Sequence, residues 1–225
     1  MRWLRSSAIG IIAAAAVIGL AASGSSKNAS SSGGTTTTAG ASQQTSGTAA
    51  PTTTIPVRQV TGKAVTLGAG TFTGGTDVVP GLYNVTAGPG QSGNFIVQGT
   101  DSYDEILGAS SGDGVPEVRA QISKGDSIQI SSLSQVIFTP VTTPLVTTHT
   151  LVTLYAGTWT VGQDIGPGRY VATPGSGQSG NFIVENESVD EILGGSDGVP
   201  SVSVSLQSGD VITISSLSQV TMTPS

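Results

Sequence analysis

SVSVSLQSGDVITISSLSQVTMTP, Ser201 to Pro224, is the stretch that decides the fold. Its apolar residues recur at every second position: Val202, Val204 and Leu206, then Ile212 and Ile214, then Val220 and Met222. A period of two puts one set of side chains on the buried face of a strand and the alternate set in water. Gly209-Asp210 is turn chemistry, because Gly supplies unusual dihedrals and Asp bonds nearby backbone. Three short strands with serine and threonine facing out follow directly.

The same reading extends upstream. Val118, Ala120 and Ile122 point inward, with Glu117, Arg119 and Gln121 facing solvent; Ile128/Ile130 and Val136/Phe138 repeat the later pairs. The likeness is a duplication. GTFTGGTDVVPGLYNVTAGPGQSGNFIV (Gly70 to Val97) matches GTWTVGQDIGPGRYVATPGSGQSGNFIV (Gly157 to Val184). DEILG recurs at Asp104 and Asp190, and DGVP at Asp113 and Asp197. GDSIQISSLSQVIFTP (Gly125 to Pro140) then answers the closing stretch. Outside the first residues no segment sustains a 3.6 period; at most Tyr103 to Leu107 makes one helical turn. The expectation is an all-β chain of two tandem modules, at 64–140 and 153–225. Each is a small β-sandwich, jelly-roll-like, with about six or seven short strands. Residues 141–152 join them as an extended linker or an added edge strand. A small module without disulfides is marginal alone, which leaves open whether the two pack together.

Composition narrows the function. The chain has 225 residues, a net charge of −6, no cysteine and one histidine, and only 10% of its residues are charged. Soluble domains average about 25%. An acidic chain is a poor binder of nucleic acid. Without cysteine there is no disulfide framework and no thiolate metal site. His149 lies in the Thr-rich linker, away from the serines of either module, so a Ser-His-Asp arrangement fails and the residue reads as solvated.

Residues 1–23 read as an export segment: Arg2 and Arg5, then an apolar run from Ala8 to Ala22 that is short for a spanning helix. Leu20-Ala21-Ala22-Ser23-Gly24 resembles a bacterial lipoprotein leader with Ser23 where the acceptor cysteine would stand. A hydroxyl cannot form the thioether, so cleavage and retention as an anchor both stay open. Residues 24–63 are rich in Ser, Thr and Gly and read as a disordered spacer. The protein is expected at the cell envelope or outside the cell, with membrane contact only through its first segment.

Three constellations invite a chemical reading. GxGxxG occurs at Gly88 and Gly175, yet a strand follows each where a nucleotide site needs a helix N-terminus. Phe72, Tyr83, Trp159 and Tyr170 recur in register beside Gln91, Asn94, Gln178 and Asn181. Rings that stack on a pyranose beside amides that bond its hydroxyls are what a sugar site uses, and core packing is the alternative. Asp104-Glu105 and Asp190-Glu191 are candidate Ca²⁺ ligands, although neighbours on a strand face opposite ways and no EF-hand loop is present. Apart from that calcium reading, no cofactor is expected.

The pattern G-T-[WFY]-x-V-G-x-D-I-x-P-G-x-Y, a Gly-rich turn and GD-x-I-x-I-S resembles small repeat modules of secreted proteins and lipoproteins in Gram-positive bacteria. The resemblance spans 66–140 and 153–225. It implies the module type and an envelope setting, and it carries over no chemistry. The expected role is non-enzymatic: binding a cell-wall glycan or a surface protein. A purely structural spacer is the alternative, and a carboxylate-based glycan hydrolase stands third.

Overall fold

The alternating stretches all form strands in a computed structural model that describes residues 58–108 and 114–225. Copy one contributes β1 (Val65–Leu67), β2 (Gly70–Thr73), β3 (Gly81–Ala87) and β4 (Gly93–Gln98). It continues with β5 (Tyr103–Leu107), β6 (Val118–Ile122), β7 (Ser127–Ser131) and β8 (Val136–Pro140). Copy two repeats them as β9 (Val152–Leu154), β10 (Ala156–Thr160), β11 (Gly168–Pro174) and β12 (Ser179–Val184). It closes with β13 (Val189–Gly194), β14 (Val202–Leu206), β15 (Val211–Ser215) and β16 (Val220–Pro224). The leader, most of the Ser/Thr spacer and Asp113 lie outside the described residues.

Each copy is one long hairpin folded over on itself. In copy one, β1 pairs with β8, β2 with β7, β3 with β6 and β4 with β5, all antiparallel. Cross-pairs β3–β8 and β4–β7 then gather the strands into two sheets, β1-β8-β3-β6 and β2-β7-β4-β5. Copy two has the same order, β9-β16-β11-β14 and β10-β15-β12-β13. This is the eight-stranded jelly-roll order.

Each copy's two sheets share one core. Tyr83, Val85, Ile122 and Phe138 from one sheet meet Phe95, Leu107, Ile128 and Ile130 from the other. Phe138 stands edge-on to Tyr83 and Phe95 at centroid distances of 5.8 and 5.9 Å, an arrangement the ring quadrupoles favour. In copy two, Tyr170, Phe182, Ile212, Ile214 and Met222 fill the equivalent space.

Two expectations change and two are refined. There are eight strands per copy. Tyr103–Leu107 is a strand, because its side chains alternate buried and exposed and its backbone pairs with Gly93–Val97. Of the two readings of the segment between the copies, the added edge strand holds at its end, where Val152–Leu154 lies beside β16, and the Val146 N–H donates to the Gln163 carbonyl at 2.9 Å. His149 is exposed, as expected of a solvated linker residue, but it is not free. Its ring stands edge-on to Tyr170 at 4.5 Å, and its Nε2 lies 2.7 Å from the Arg169 carbonyl.

The two copies share a sheet. β6 of copy one pairs with β10 of copy two in parallel, Val118 opposite Ala156 and Arg119 opposite Gly157. The result is a continuous eight-stranded sheet, β1-β8-β3-β6-β10-β15-β12-β13. Gly157 permits it. A Cβ there would lie 2.1 Å from the Arg119 carbonyl oxygen, and its φ of +114° disfavours any side chain.

Candidate functional site

Among the described residues, the junction of the two copies gathers most of the buried charge. Arg119 sits on β6 with an outward-facing strand neighbour pattern, so solvent is its expected environment; copy two covers it instead and leaves it 3% exposed. Its Nη2 donates to Asp164 Oδ1 and its Nη1 to Asn84 Oδ1 at 2.8 Å. Arg58 reaches the same carboxylate oxygen at 2.6 Å and also donates to the carbonyls of Gln163 at 2.8 Å and Thr143 at 3.2 Å. Asp164 Oδ2 accepts the Thr160 N–H at 2.9 Å, which closes the turn after β10. The guanidinium carbon of Arg119 lies 4.6 Å from the centre of the Trp159 ring, a cation–π contact. Trp159 is held in turn by its Nε1–H donating to the Tyr155 carbonyl at 2.8 Å.

Desolvation lowers the pKa of Arg119, and Asp164 opposes that shift most strongly. An arginine stays charged throughout ordinary pH, so two buried cations share one anion here. Arg119 Nε is buried with no hydrogen-bond partner among the described residues. The pattern suits a clamp whose partners must all be present.

A second contact flanks the clamp. Glu105 faces inward from β5 and both its oxygens accept the Ser216 N–H of copy two at 3.1 Å. Burial pushes its carboxyl up to about 7; the Ser216 hydrogen bond works against this and nearby Asp104 adds to it. Tyr103 donates to Thr158 Oγ1 at 3.2 Å and accepts the Gln121 N–H at 3.0 Å, so it bridges the copies. Beside these contacts runs an open cleft of about 590 Å³, lined from both copies by Leu82, Asp101, Gln121, Thr158, Asp164 and Glu185 among others.

The sequence-predicted site residues do not come together. Tyr83 and Tyr170 are wholly buried, their hydroxyls donating to the carbonyls of Val79 and Gly166. Phe72 packs half-buried against the copy-one core. Trp159 is 7% exposed, under Arg119. None of Tyr83, Tyr170 and Trp159 offers an open face to a sugar. Gln91 Oε1 accepts the N–H groups of Ser134 and Gln135, and Gln178 Oε1 that of Gln219, so each latches two loops together. Asn94 and Asn181 donate across the sheet to Ser131 and Ser215. The intervening glycine is required at Gly93 and Gly180, where a Cβ would meet a carbonyl at 2.3 and 2.4 Å. The QSGN loop builds its own turn.

Asp104 and Glu105 face opposite sides of β5, and Asp190 is exposed while Glu191 is half-buried. Among the described residues, no three His, Asp or Glu side chains gather as a cation would need. Asp77, Asp126, Asp164 and Asp210 each accept a backbone N–H within a turn. Arg58 and Arg119 are the residues that sequence reasoning passed over, and Glu105, named there only as a calcium candidate, serves the junction instead. Arg119 carried one signal, since it is a charge where copy two has Ser203.

No family model, no curated protein and no solved structure matches this chain.

Proposed function

We propose that the protein is an exported, non-enzymatic spacer of the bacterial cell surface, whose two modules act as one stiff unit at the end of a Ser/Thr-rich tether. The observation that carries this reading is the junction. A shared sheet and a buried Arg–Asp–Arg clamp hold the copies at one angle, which a flexible string of binding modules would not need. The inward-facing aromatics and the Ser/Thr-rich outer positions fit a surface that keeps its solubility without engaging a ligand. The leader-like first segment and the resemblance to Gram-positive repeat modules supply the envelope setting.

The test is a distance. Spin labels at Ile106 and Ile192, both exposed and one in each copy, should give a single narrow distribution in pulsed electron resonance. A broad distribution would sink the stiff-spacer reading.

The cleft favours a second reading, binding of a wall glycan through hydroxyl and amide groups and not through rings. Gln121 and Thr158 face it from the two copies. Retention on purified cell wall that Gln121→Ala removes, with the circular dichroism spectrum unchanged, would put this reading first.

A further inference from the structure

The joint between the copies is heterologous: the β6 edge of one meets the β10 edge of the next. Because the copies share one fold, each half of this joint recurs unused. The counterpart of β6 is β14, and the counterpart of β10 is β2. Among the described residues each stands at the outer edge of its four-stranded sheet with no partner. A heterologous contact that repeats makes an open chain of subunits unless its rotation happens to close a ring.

We infer that the protein associates head to tail with further copies of itself, the β14 edge of one chain adding in parallel to the β2 edge of the next. The internal register sets the external one, with Val202 opposite Ala69 and Ser203 opposite Gly70. Both edges present exposed small polar side chains, Ser203 and Ser205 on one and Thr71 and Thr73 on the other, so backbones can approach. Glu191 stands where Glu105 stands. The counterpart of its donor, Ser132 in place of Ser216, has the same left-handed backbone, with φ of 63° against 60°.

The charges also match, by a different route. Ser203 replaces Arg119, so the external joint buries no arginine on β14. Leu82, which lines the internal cleft beside Asp164, has Arg169 as its counterpart. Arg169 is the sole Lys or Arg of copy two, is exposed, and forms no ion pair among the described residues. The counterpart of Asp164 is Asp77, exposed and likewise without an ion pair among the described residues. Arg169 of one chain therefore faces Asp77 of the next. This joint lacks both the clamp and the tether that raises effective concentration inside one chain, so it forms only when chains are crowded.

The inference extends the spacer reading and rests on its stiff junction. The two fail separately, since the label distance reports the internal joint and molecular mass the external one. The experiment is sedimentation of the full chain from micromolar to near-millimolar concentration. The expected result is an average mass that climbs past three chains and falls back at high salt. Thr71→Lys blocks one edge and Ser205→Lys the other, both at exposed positions. Each variant alone should stay monomeric, and an equal mixture should stop at the dimer. Arg169→Glu, which alters no strand-edge residue, should shift the mass curve at least tenfold in concentration. A wild-type chain that stays monomeric overturns the inference. So does growth that stops at a dimer, or a blocked variant that still self-associates while its spectrum shows native strand content.

Discussion

Asp164 and Asp77 occupy the same position of the repeat and carry different burdens. Each closes a turn by accepting a backbone N–H, but only Asp164 also neutralises two buried arginines. Removing one partner of a buried ion pair costs about 3–5 kcal/mol, whereas losing one ordinary hydrogen bond costs about 1 kcal/mol. Urea unfolding should therefore show Asp164→Asn far more damaging than Asp77→Asn. Equal losses would mean that the clamp contributes nothing beyond its turn. Glu105 gives a second expectation. Its folded pKa, about 7, lies above the ordinary 4.5, so the folded state holds the proton more tightly. Its contribution is then greatest below pH 4.5 and is lost as pH rises toward 7, on the order of 3 kcal/mol over the span. Glu105→Gln should flatten that part of the stability profile; an unchanged slope would remove Glu105 as its source.

At the level of strands, the edges chosen for pairing were invisible in the sequence while the strands themselves were plain. Val202, Val204 and Leu206 alternate because one face is buried, and that signal is local. Which strand lies beside which depends on pairings distant in sequence, such as Val65 opposite Phe138, for which alternation holds no information. The helical turn assigned to Tyr103–Leu107 failed for the same reason, as its partner strand decides its state. The sugar-site residues were legible as a repeated set, but repetition marks core and turn positions as readily as ligand contacts. The junction broke the repeat, at Arg119 against Ser203 and Trp159 against Phe72, and there the useful signal was difference. Gly157 is the element-scale test. Gly157→Ala drives a Cβ into the Arg119 carbonyl and should separate β6 from β10. Calorimetry should then resolve two transitions where the parent has one. A single transition at the parent temperature would show that the parallel pair does not couple the copies.

For the whole molecule, the feature with the furthest reach is the pairing of each copy's first strand with its last. β1 lies against β8, and β9 against β16, so neither jelly roll can close until its final residues are present. Rates of folding fall as contacts become more distant along the chain, so both copies belong among slow folders. The two closing strands also follow the same Ile-Ser-Ser-Leu-Ser-Gln-Val run, at Ile130 to Val136 and Ile214 to Val220. While both copies are incomplete, β1 meets two closing strands of similar pattern, β8 and β16, and a chain threaded onto the wrong one must come apart before it can finish. Refolding from urea should accordingly show, beyond each copy's own folding phase, a further slow phase that disappears when copy two alone is refolded. Proximity in time is the remedy: the first copy gains its own closing strand before the second exists only if the chain emerges from its N-terminus, a residue at a time, and begins to fold as it arrives.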